Sequence, residues 1–304
     1  MTVKTTWPES RFILIGGVRY HYVAFGTTGP TVVLLHGYGD SWRGFEPLLP
    51  AFADGFRVFA LDQRGHGRTG DAGTYAVADF ADDAIAFLDA VASGPVHLVG
   101  HSLGSIVAQR VAERRPDLLR SLTLIGAAPT AAGNATLTAV RVELEELGDV
   151  VTDEFIDTFQ TAEFEPAVRE ARRRALVVDS RRLSARTWRE ALDGLLTEPA
   201  AAEPATIRVP ALSLWGARDG VFNRGAQVAL MRSVPHIEAI HYASAGHSPH
   251  WEIAGQVASD LVRFVQSVEE DAGYAEATFY GGVSAFGPPL LPGAPTEAAY
   301  TVDA

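Results

Sequence analysis

A serine between two glycines is the first feature of this sequence that indicates chemistry. The segment GHSLG, residues 100–104, fits the pattern G-x-S-x-G with Ser102 at its centre. It follows the apolar run VHLV and precedes the helical pattern LGSIVAQRVAER. A nucleophile elbow requires such a strand–turn–helix junction, because the tight turn leaves no room for a Cβ atom at the glycines. The five-residue pattern alone has little specificity. Its position between a predicted strand and a predicted helix is more specific, and it predicts that Ser102 is a nucleophile.

A serine hydroxyl needs a base, and the base needs an anionic partner. His247 follows the last predicted strand in the segment AGHS, and His250 is the nearest competing histidine, with packing or capping as its alternative role. Asp219 follows an earlier strand in GARDG, whereas the loop after Leu119–Ile125, GAAPT, holds no carboxylate. The chain order Ser, Asp, His is one of the orders in which such a triad occurs. We predict that Asp219 and His247 complete a triad with Ser102.

The predicted reaction also requires N–H donors where negative charge develops on the substrate. Leu103 follows the nucleophile at the start of a helix and supplies one backbone donor. A second should come from the glycine-rich segment HGYGD after the strand Thr31–Leu35, where we choose Tyr38. The same segment is also compatible with a plain turn, capped by Asp40 or Ser41 before the next helix.

Short β-rich runs alternate with longer helical patterns over most of the chain. The predicted strands are Phe12–Ile15, Val18–Phe25, Thr31–Leu35, Arg57–Leu61, Val96–Val99, Leu119–Ile125, Ala211–Trp215 and Ile237–Tyr242. Predicted helices alternate with them at Ser41–Ala53, Val77–Val91, Leu103–Arg114, 225–232 and Ile253–Val268. This alternation predicts an α/β fold, with a mostly parallel twisted sheet covered by helices on both faces.

The alternation stops within the chain and resumes later. Residues 130–207 carry only helical patterns, which predicts an all-helical cap over the carboxyl edge of the sheet, where ligands of such sheets bind. Residues 1–129 and 208–270 then form the core. Residues 271–304 are rich in Gly, Pro and Ala, and a flexible tail is the simplest interpretation. Docking of its apolar residues on the body, or on a second subunit in a homodimer, stays open.

Composition restricts the partners. The formal net charge of −12 argues against nucleic acid, whose binding depends on neutralising phosphates. The absence of cysteine excludes disulfides and thiolate metal sites, and the pattern implies no metal or organic cofactor. Apolar runs are too short for a membrane span, and residues 1–10 do not resemble a signal peptide, so we expect a cytoplasmic protein. Eight arginines within 169–189 form either a solvated helix face or an anion-attracting rim beside the site.

Taken together, the motifs make the chain resemble the α/β-hydrolase superfamily, in its branch with a helical cap. The matching segments are HGYG at 36–39, DQRGHG at 62–67, GHSLG, GARD and the GH of His247, and they cover about residues 11–268 in order. The resemblance implies a mainly architectural loop at 62–67, with Arg64 and His66 in that role. The branch also contains epoxide hydrolases and haloalkane dehalogenases, which use an aspartate nucleophile. Ser102 stands at that position here and argues against both activities.

The hypothesis that follows is hydrolysis of an ester or lactone of a small to medium apolar small molecule through an acyl-enzyme. Trp42, Phe45 and Trp251 are the predicted substrate-pocket residues, together with residues of the cap. A carbon–carbon bond hydrolase, or a cyclase or lyase that uses the same triad, is the alternative reaction. A ligand receptor without catalysis is the alternative class, since a fold alone does not define activity.

Overall fold

The computed structural model describes residues 8–280, apart from 54, 163 and 200–206. Within them, eight strands form one sheet: β1 Glu9–Ile15, β2 Val18–Phe25, β3 Thr31–Leu35, β4 Arg57–Leu61, β5 Val96–His101, β6 Leu119–Ile125, β7 Ala211–Gly216 and β8 Glu238–Tyr242. Their order in the sheet is β1-β2-β4-β3-β5-β6-β7-β8. β1 pairs antiparallel with β2, and β2 with β4, while the other neighbours are parallel. The predicted sheet is confirmed.

The helices are α1 Val77–Val91, α2 Leu103–Arg114, α3 Ala135–Leu147, α4 Asp153–Thr161, α5 Pro166–Arg172, α6 Val178–Ser180, α7 Ala185–Thr197, α8 Arg224–Ser233, α9 Pro249–Glu252 and α10 Ala254–Tyr280. A π-helical turn, Arg173–Val177, joins α5 to α6, and 3₁₀ segments lie at Trp42–Phe52 and Pro116–Leu118. Helices α3–α7 lie between β6 and β7 in the chain. The structure therefore contains the inserted helical region that the sequence predicts.

The segment after β3 differs from the prediction. An α-helix was expected over Ser41–Ala53, and the structure has a 3₁₀ helix over Trp42–Phe52 with Pro47 and Pro50 inside it. A proline has no N–H to donate to the preceding turn, and its ring clashes with that turn of an α-helix. Two prolines three residues apart therefore favour the tighter 3₁₀ form.

Both faces of the sheet are buried, and β3 shows this most clearly. Val33 and Leu35 belong to one apolar cluster, which includes residues of α1 and α2. Val32 and Leu34 belong to a second cluster, which includes residues of the 3₁₀ helix and α10. Each of these side chains is fully buried, and each such burial contributes about 1.5–3 kcal/mol. A near-continuous apolar strand is stable here because helices cover it on both sides.

Side-chain caps define where the inserted helices begin. Asn134 accepts a hydrogen bond from the Leu137 N–H at the start of α3, Thr152 from Phe155 at α4, and Ser184 from Thr187 at α7. Such caps satisfy backbone donors that have no acceptor within the helix. These bonds fix the first residues of α3, α4 and α7.

The chain divides into two units, Met1–Val268 and Glu269–Ala304. In the second unit the described residues, 269–280, are the end of α10, which continues through ten residues of the predicted tail. The stretch EEDAGYAEATFY contains good helix formers and no proline, which explains the longer helix. The rest of the predicted tail, 281–304, lies outside the described residues. No helix among those described is both long and apolar enough to cross a membrane.

Candidate active site

Ser102 lies on a strained turn between β5 and α2. Its φ of 51° and ψ of −116° make it the one non-glycine residue with positive φ in the described part of the chain. A Cβ atom on Gly100 would lie 2.2 Å from the Gly104 carbonyl oxygen, and one on Gly104 would lie 2.1 Å from the Leu35 oxygen. The two glycines of the motif are therefore required by close backbone contacts. Strain of this kind is typical of functional sites.

The three residues predicted as a triad are joined by hydrogen bonds. His247 Nε2 lies 3.0 Å from Ser102 Oγ, and His247 Nδ1 lies 3.0 Å from Asp219 Oδ2. The backbone N–H groups of Val221 and Phe222 donate to the other carboxylate oxygen, Asp219 Oδ1, both at 2.8 Å. An ionised carboxylate only accepts, so Nδ1 carries the ring hydrogen and Nε2 accepts from the serine hydroxyl. His247 is thus placed as a base for Ser102.

The loops after β7 and β8 bring the acid and the base together. The Ala217 N–H donates to the Tyr242 oxygen and the Arg218 N–H to the Ala245 oxygen, both at 2.9 Å. Gly126 follows β6 with a φ of +51°, and a Cβ on it would lie 2.5 Å from the His247 carbonyl oxygen. The loop after β6, which holds no carboxylate, therefore leaves room at Gly126 for the backbone of His247.

The predicted oxyanion loop packs directly against the nucleophile. A Cβ on Gly37 would lie 3.3 Å from the Cβ of Ser102. The Gly39 N–H donates to His66 Nε2 at 3.2 Å, and the Asp40 N–H to the Gly37 oxygen at 3.2 Å. Burial lowers the pKa of His66 to about 3, so its ring stays neutral and can accept this bond. The Gly39 and Asp40 N–H groups are thus engaged within the protein, and the Tyr38 N–H remains the predicted oxyanion donor of this loop.

Three hydrogen bonds from the helical insert hold the same loop. The Gly39 carbonyl oxygen accepts from Gln160 Nε2 at 3.0 Å and from Ser180 Oγ at 2.7 Å. The Tyr38 hydroxyl donates to the Trp188 carbonyl oxygen at 2.5 Å.

The other predicted donor is the backbone N–H of Leu103. It is the first N–H of α2 and has no acceptor within that helix. The positive end of the helix dipole adds to the attraction for developing negative charge.

A cavity of about 210 Å³ contains Ser102, His247 and Tyr38 in its lining. Most of the remaining wall comes from the helical insert, and its members are Thr136, Leu137, Val140, Thr158, Phe159, Gln160, Ala162, Phe164 and Arg172. The volume is below the roughly 300 Å³ at which pockets for drug-sized ligands begin, so the cavity has room for a ligand of few atoms. Asp219 lies behind His247, outside the lining.

The three predicted wall residues lie elsewhere. Trp42 lines a separate cavity of about 920 Å³ that includes none of the triad. Phe45 is fully buried, with its ring 5.6 Å from that of His250. Trp251 donates to the Gly44 carbonyl oxygen at 2.8 Å, and its indole lies under the Arg172 guanidinium. None of the three lines the cavity that contains Ser102, because Phe45 is packed in the core and Trp251 is hydrogen-bonded to the backbone of the 3₁₀ helix.

The arginine-rich run divides into exposed members and one buried member. Seven of its eight arginines are at least partly exposed, and several form ion pairs on the helix surfaces, as Arg173 does with Asp157 and Arg181 with Asp153. Arg172 is different, since it is 4% exposed and lines the cavity. Sequence reasoning did not single it out, because nothing in the run distinguishes it from its neighbours. Asp40 and Gln160 are further cavity residues that the sequence did not indicate as such.

Four histidines around the site are buried and held neutral. They are His36, His66, His101 and His250, and burial is the main cause of the lowered pKa of each. His101 and His250 lie with their ring centroids 4.4 Å apart. Neither nitrogen of His250 makes a hydrogen bond within the described residues. His250 is therefore a packed ring, and His247 is the histidine that contacts Ser102.

These histidines predict acid sensitivity of the fold. A histidine of lowered pKa binds fewer protons when folded than when unfolded, where its pKa is about 6.5. Its stabilising contribution is complete above pH 6.5 and is lost as the pH falls from there through the folded pKa, at about 1.4 kcal/mol per pH unit for each group. We expect the free energy of unfolding, measured with urea, to fall steeply below pH 6.5.

A variant isolates one of these groups. His250→Phe removes a buried titrating ring, so urea unfolding at pH 5 and pH 8 should differ by less than in the parent chain. His241→Phe, at an exposed position, is the matched control and should leave the difference unchanged. An equal pH dependence in His250→Phe and the parent would show that His250 does not contribute.

A family model described as alpha/beta hydrolase fold matches residues 30–254. The chain therefore belongs to the α/β-hydrolase fold family. Its fold, with a strand–turn–helix junction at Ser102, is the one that the sequence resemblance implied.

Among curated relatives, the chain is similar to a 2-(acetamidomethylene)succinate hydrolase of Mesorhizobium japonicum, with 37% identity over 121 residues. That match covers 40% of this chain and 43% of the relative's own length, less than half of it. A pimeloyl-[acyl-carrier protein] methyl ester esterase of Chromobacterium violaceum is 31% identical over 234 residues, which cover 73% of this chain and 88% of that protein.

Epoxide hydrolase B of Mycobacterium tuberculosis is 34% identical over 134 residues, covering 42% of this chain and 37% of that enzyme. Among solved structures, an enol-lactonase from Burkholderia xenovorans superposes with a TM-score of 0.73 at 20% identity. That superposition covers 84% of this chain and all of the lactonase. At this identity the likeness establishes the fold.

Proposed function

We propose that this protein is a serine hydrolase that cleaves an ester or lactone of a small substrate through an acyl-enzyme. The observation that carries the proposal is the hydrogen-bonded chain from Ser102 through His247 to Asp219. A receptor has no need of a base 3.0 Å from a strained serine, and the strain has a cost of about 1–3 kcal/mol.

In the proposed reaction, Ser102 Oγ attacks the substrate carbonyl carbon while His247 Nε2 takes its proton. The carbonyl oxygen becomes an oxyanion that accepts from the N–H groups of Tyr38 and Leu103. His247 then gives its proton to the departing oxygen, and the C–O bond breaks. A water activated by His247 hydrolyses the acyl-serine and restores the site.

The names of two relatives support acyl chemistry, since one is a methyl ester esterase and the other a succinate-derivative hydrolase. The epoxide hydrolase relative favours a different reaction. In the resembling branch that reaction uses an aspartate nucleophile, and Ser102 stands in its place. A serine cannot form the carboxylate ester through which such enzymes act, so we favour the acyl transfer.

A fluorophosphonate probe tests the nucleophile. The probe should attach to one peptide, and mass spectrometry should locate it on Ser102, because its hydroxyl lies 3.0 Å from His247 Nε2. Ser102→Ala should abolish labelling, while Ser105→Ala, at a neighbouring buried serine, should retain it. Absence of labelling in folded protein would contradict the proposal.

A panel of p-nitrophenyl esters tests the size of the acyl group. The rate of hydrolysis should be about tenfold higher for the acetate and butyrate than for the octanoate, since the cavity encloses small ligands.

A further inference from the structure

The helical insert makes a polar contact with each of four consecutive residues at the predicted oxyanion loop, residues 38–41. The partners of residues 38, 39, 40 and 41 are, in that order, Trp188, the pair Gln160 and Ser180, Arg172, and Asp179. These partners come from four different helices of the insert, α4, α5, α6 and α7. An insert that only enclosed a substrate would not need so many polar contacts with one loop of the core. The contacts therefore point to a role of the insert in fixing that loop.

The side-chain amide of Gln160 has a fixed orientation. Its Nε2 donates to the Gly39 carbonyl oxygen and to Ser180 Oγ, each at 3.0 Å, so both of its hydrogens are used. Its Oε1 accepts from Arg172 Nη2 at 2.9 Å. A guanidinium only donates, so the amide cannot turn round without placing its NH₂ group against the donors of Arg172. Gln160 and Ser180 are 1% and 0% exposed, and their donors are therefore directed at the loop in a site with little access for water.

Two peptide units connect the Gly39 oxygen to the predicted donor, the Tyr38 N–H. The Gly39 oxygen and the Asp40 N–H belong to one planar unit, so bonds to the oxygen also fix the direction of that N–H. The Asp40 N–H donates to the Gly37 oxygen at 3.2 Å, and His36 Nδ1 donates to the same oxygen at 2.7 Å. In a trans peptide the Gly37 oxygen and the Tyr38 N–H point in opposite directions. The direction of the Tyr38 N–H therefore depends on one bond from the core and on one that the insert supports.

We propose that Gln160 and Ser180 are positioning residues for the oxyanion hole, which orient the Tyr38 N–H through the loop. The inference rests on the proposed function and makes the insert part of its reaction apparatus as well as a wall of the cavity. Both side chains act through the Gly39 oxygen, to which they donate at 3.0 and 2.7 Å. The bond from His36 remains when they are removed, so the hole is weakened and not abolished. A contact made only in the transition state raises kcat and leaves KM almost unchanged.

Replacing the carbonyl oxygen of an ester with sulfur tests the contact with the oxyanion. We compare p-nitrophenyl acetate with its thionoester, O-(4-nitrophenyl) ethanethioate. Sulfur is a weak acceptor, so N–H donors stabilise the transition state of the oxygen ester more than that of the thionoester. In Gln160→Met the ratio of kcat/KM for the oxygen ester to that for the thionoester should fall by about tenfold, mainly through kcat of the oxygen ester. This loss is smaller than the roughly 100- to 1,000-fold effect of deleting a whole donor, because the Tyr38 N–H is misdirected and not removed.

A purely structural role for Gln160 would lower the rates of both esters by the same factor and leave the ratio at the parent value, which would overturn the proposal. Gln227→Met is the matched control, because Gln227 is also a buried glutamine whose Nε2 donates to a backbone oxygen, that of Ala127. Gln227 does not line the cavity, and the ratio should not change in its variant. Ser180→Ala removes the other donor to the Gly39 oxygen and should also lower the ratio. It replaces the methionine variant if that chain does not fold.

Amide hydrogen exchange, followed by NMR, tests the positioning without any ester. The Asp40 N–H should exchange about tenfold faster in Gln160→Met than in the parent, because its bond to the Gly37 oxygen has lost support from the insert. Gln227→Met should leave that rate unchanged. An equal Asp40 exchange rate in Gln160→Met and the parent would overturn the proposal, whatever the esterase assays show. Faster exchange in that variant, with neither ester cleavage nor probe labelling in the parent, would support the positioning of the loop and contradict the hydrolase.

Discussion

Asp219→Asn is expected to lower kcat by about 10⁴-fold while the protein keeps its fold. Asp219 Oδ1 accepts from the N–H groups of Val221 and Phe222, so an asparagine must keep its oxygen on that side. Its NH₂ group then faces His247 Nδ1 and needs an acceptor there. The imidazole responds by carrying its hydrogen on Nε2, where it can only donate to Ser102. The nucleophile loses its base although no atom has moved far.

Steady-state rates with an ester that the parent chain cleaves measure this effect, together with the rate of fluorophosphonate labelling, which should fall in parallel. Asp193→Asn is the matched control, because Asp193 pairs with Arg141 on the helical insert and does not line the cavity. It should retain the parent rate. A kcat for Asp219→Asn within tenfold of the parent value would show that Asp219 does not orient the base.

The core elements were predictable because their signals are local. Leu103–Arg114 and Val77–Val91 begin and end in the structure where the sequence predicts. The same holds for the buried strand Thr31–Leu35, whose apolar run needs helices on both faces. The triad hypothesis followed from topology, because parallel strands bring their carboxyl ends to one edge. Loops far apart in sequence then meet there, which is how Asp219 and His247 come together.

The cavity wall was not predictable in the same way. Trp42 and Phe45 lie on the 3₁₀ helix and Trp251 lies on α9. All three are large and apolar, and sequence alone does not show which side of such an element faces a cavity or the core. Arg172 lies in an arginine run whose other members are at least partly exposed. Its burial depends on Gln160, twelve residues earlier on another helix, and on the aromatic rings that enclose it. Long-range packing of this kind leaves no periodic signal in the sequence.

Gly104→Ala is expected to reduce the free energy of unfolding by about 3 kcal/mol or more, a large effect for the addition of one methyl group. Alanine is the better helix former, by about 1 kcal/mol in an open site, so propensity alone predicts the opposite sign. Packing decides the outcome, because the new Cβ would lie 2.1 Å from the Leu35 oxygen and 2.6 Å from the His36 oxygen. These are backbone atoms at the end of β3, and they cannot rotate away as a flexible side chain would.

The helix must instead move away from the sheet, and with it the N–H of Leu103 and the turn that carries Ser102. Activity should therefore fall even in the fraction of molecules that stays folded. Urea denaturation measures the stability change, and Gly255→Ala is the matched control. Gly255 is also helical, but a Cβ there meets nothing within 4 Å, so that variant should be neutral or slightly more stable. A stable and active Gly104→Ala protein would show that α2 does not need its close contact with β3 to form the elbow.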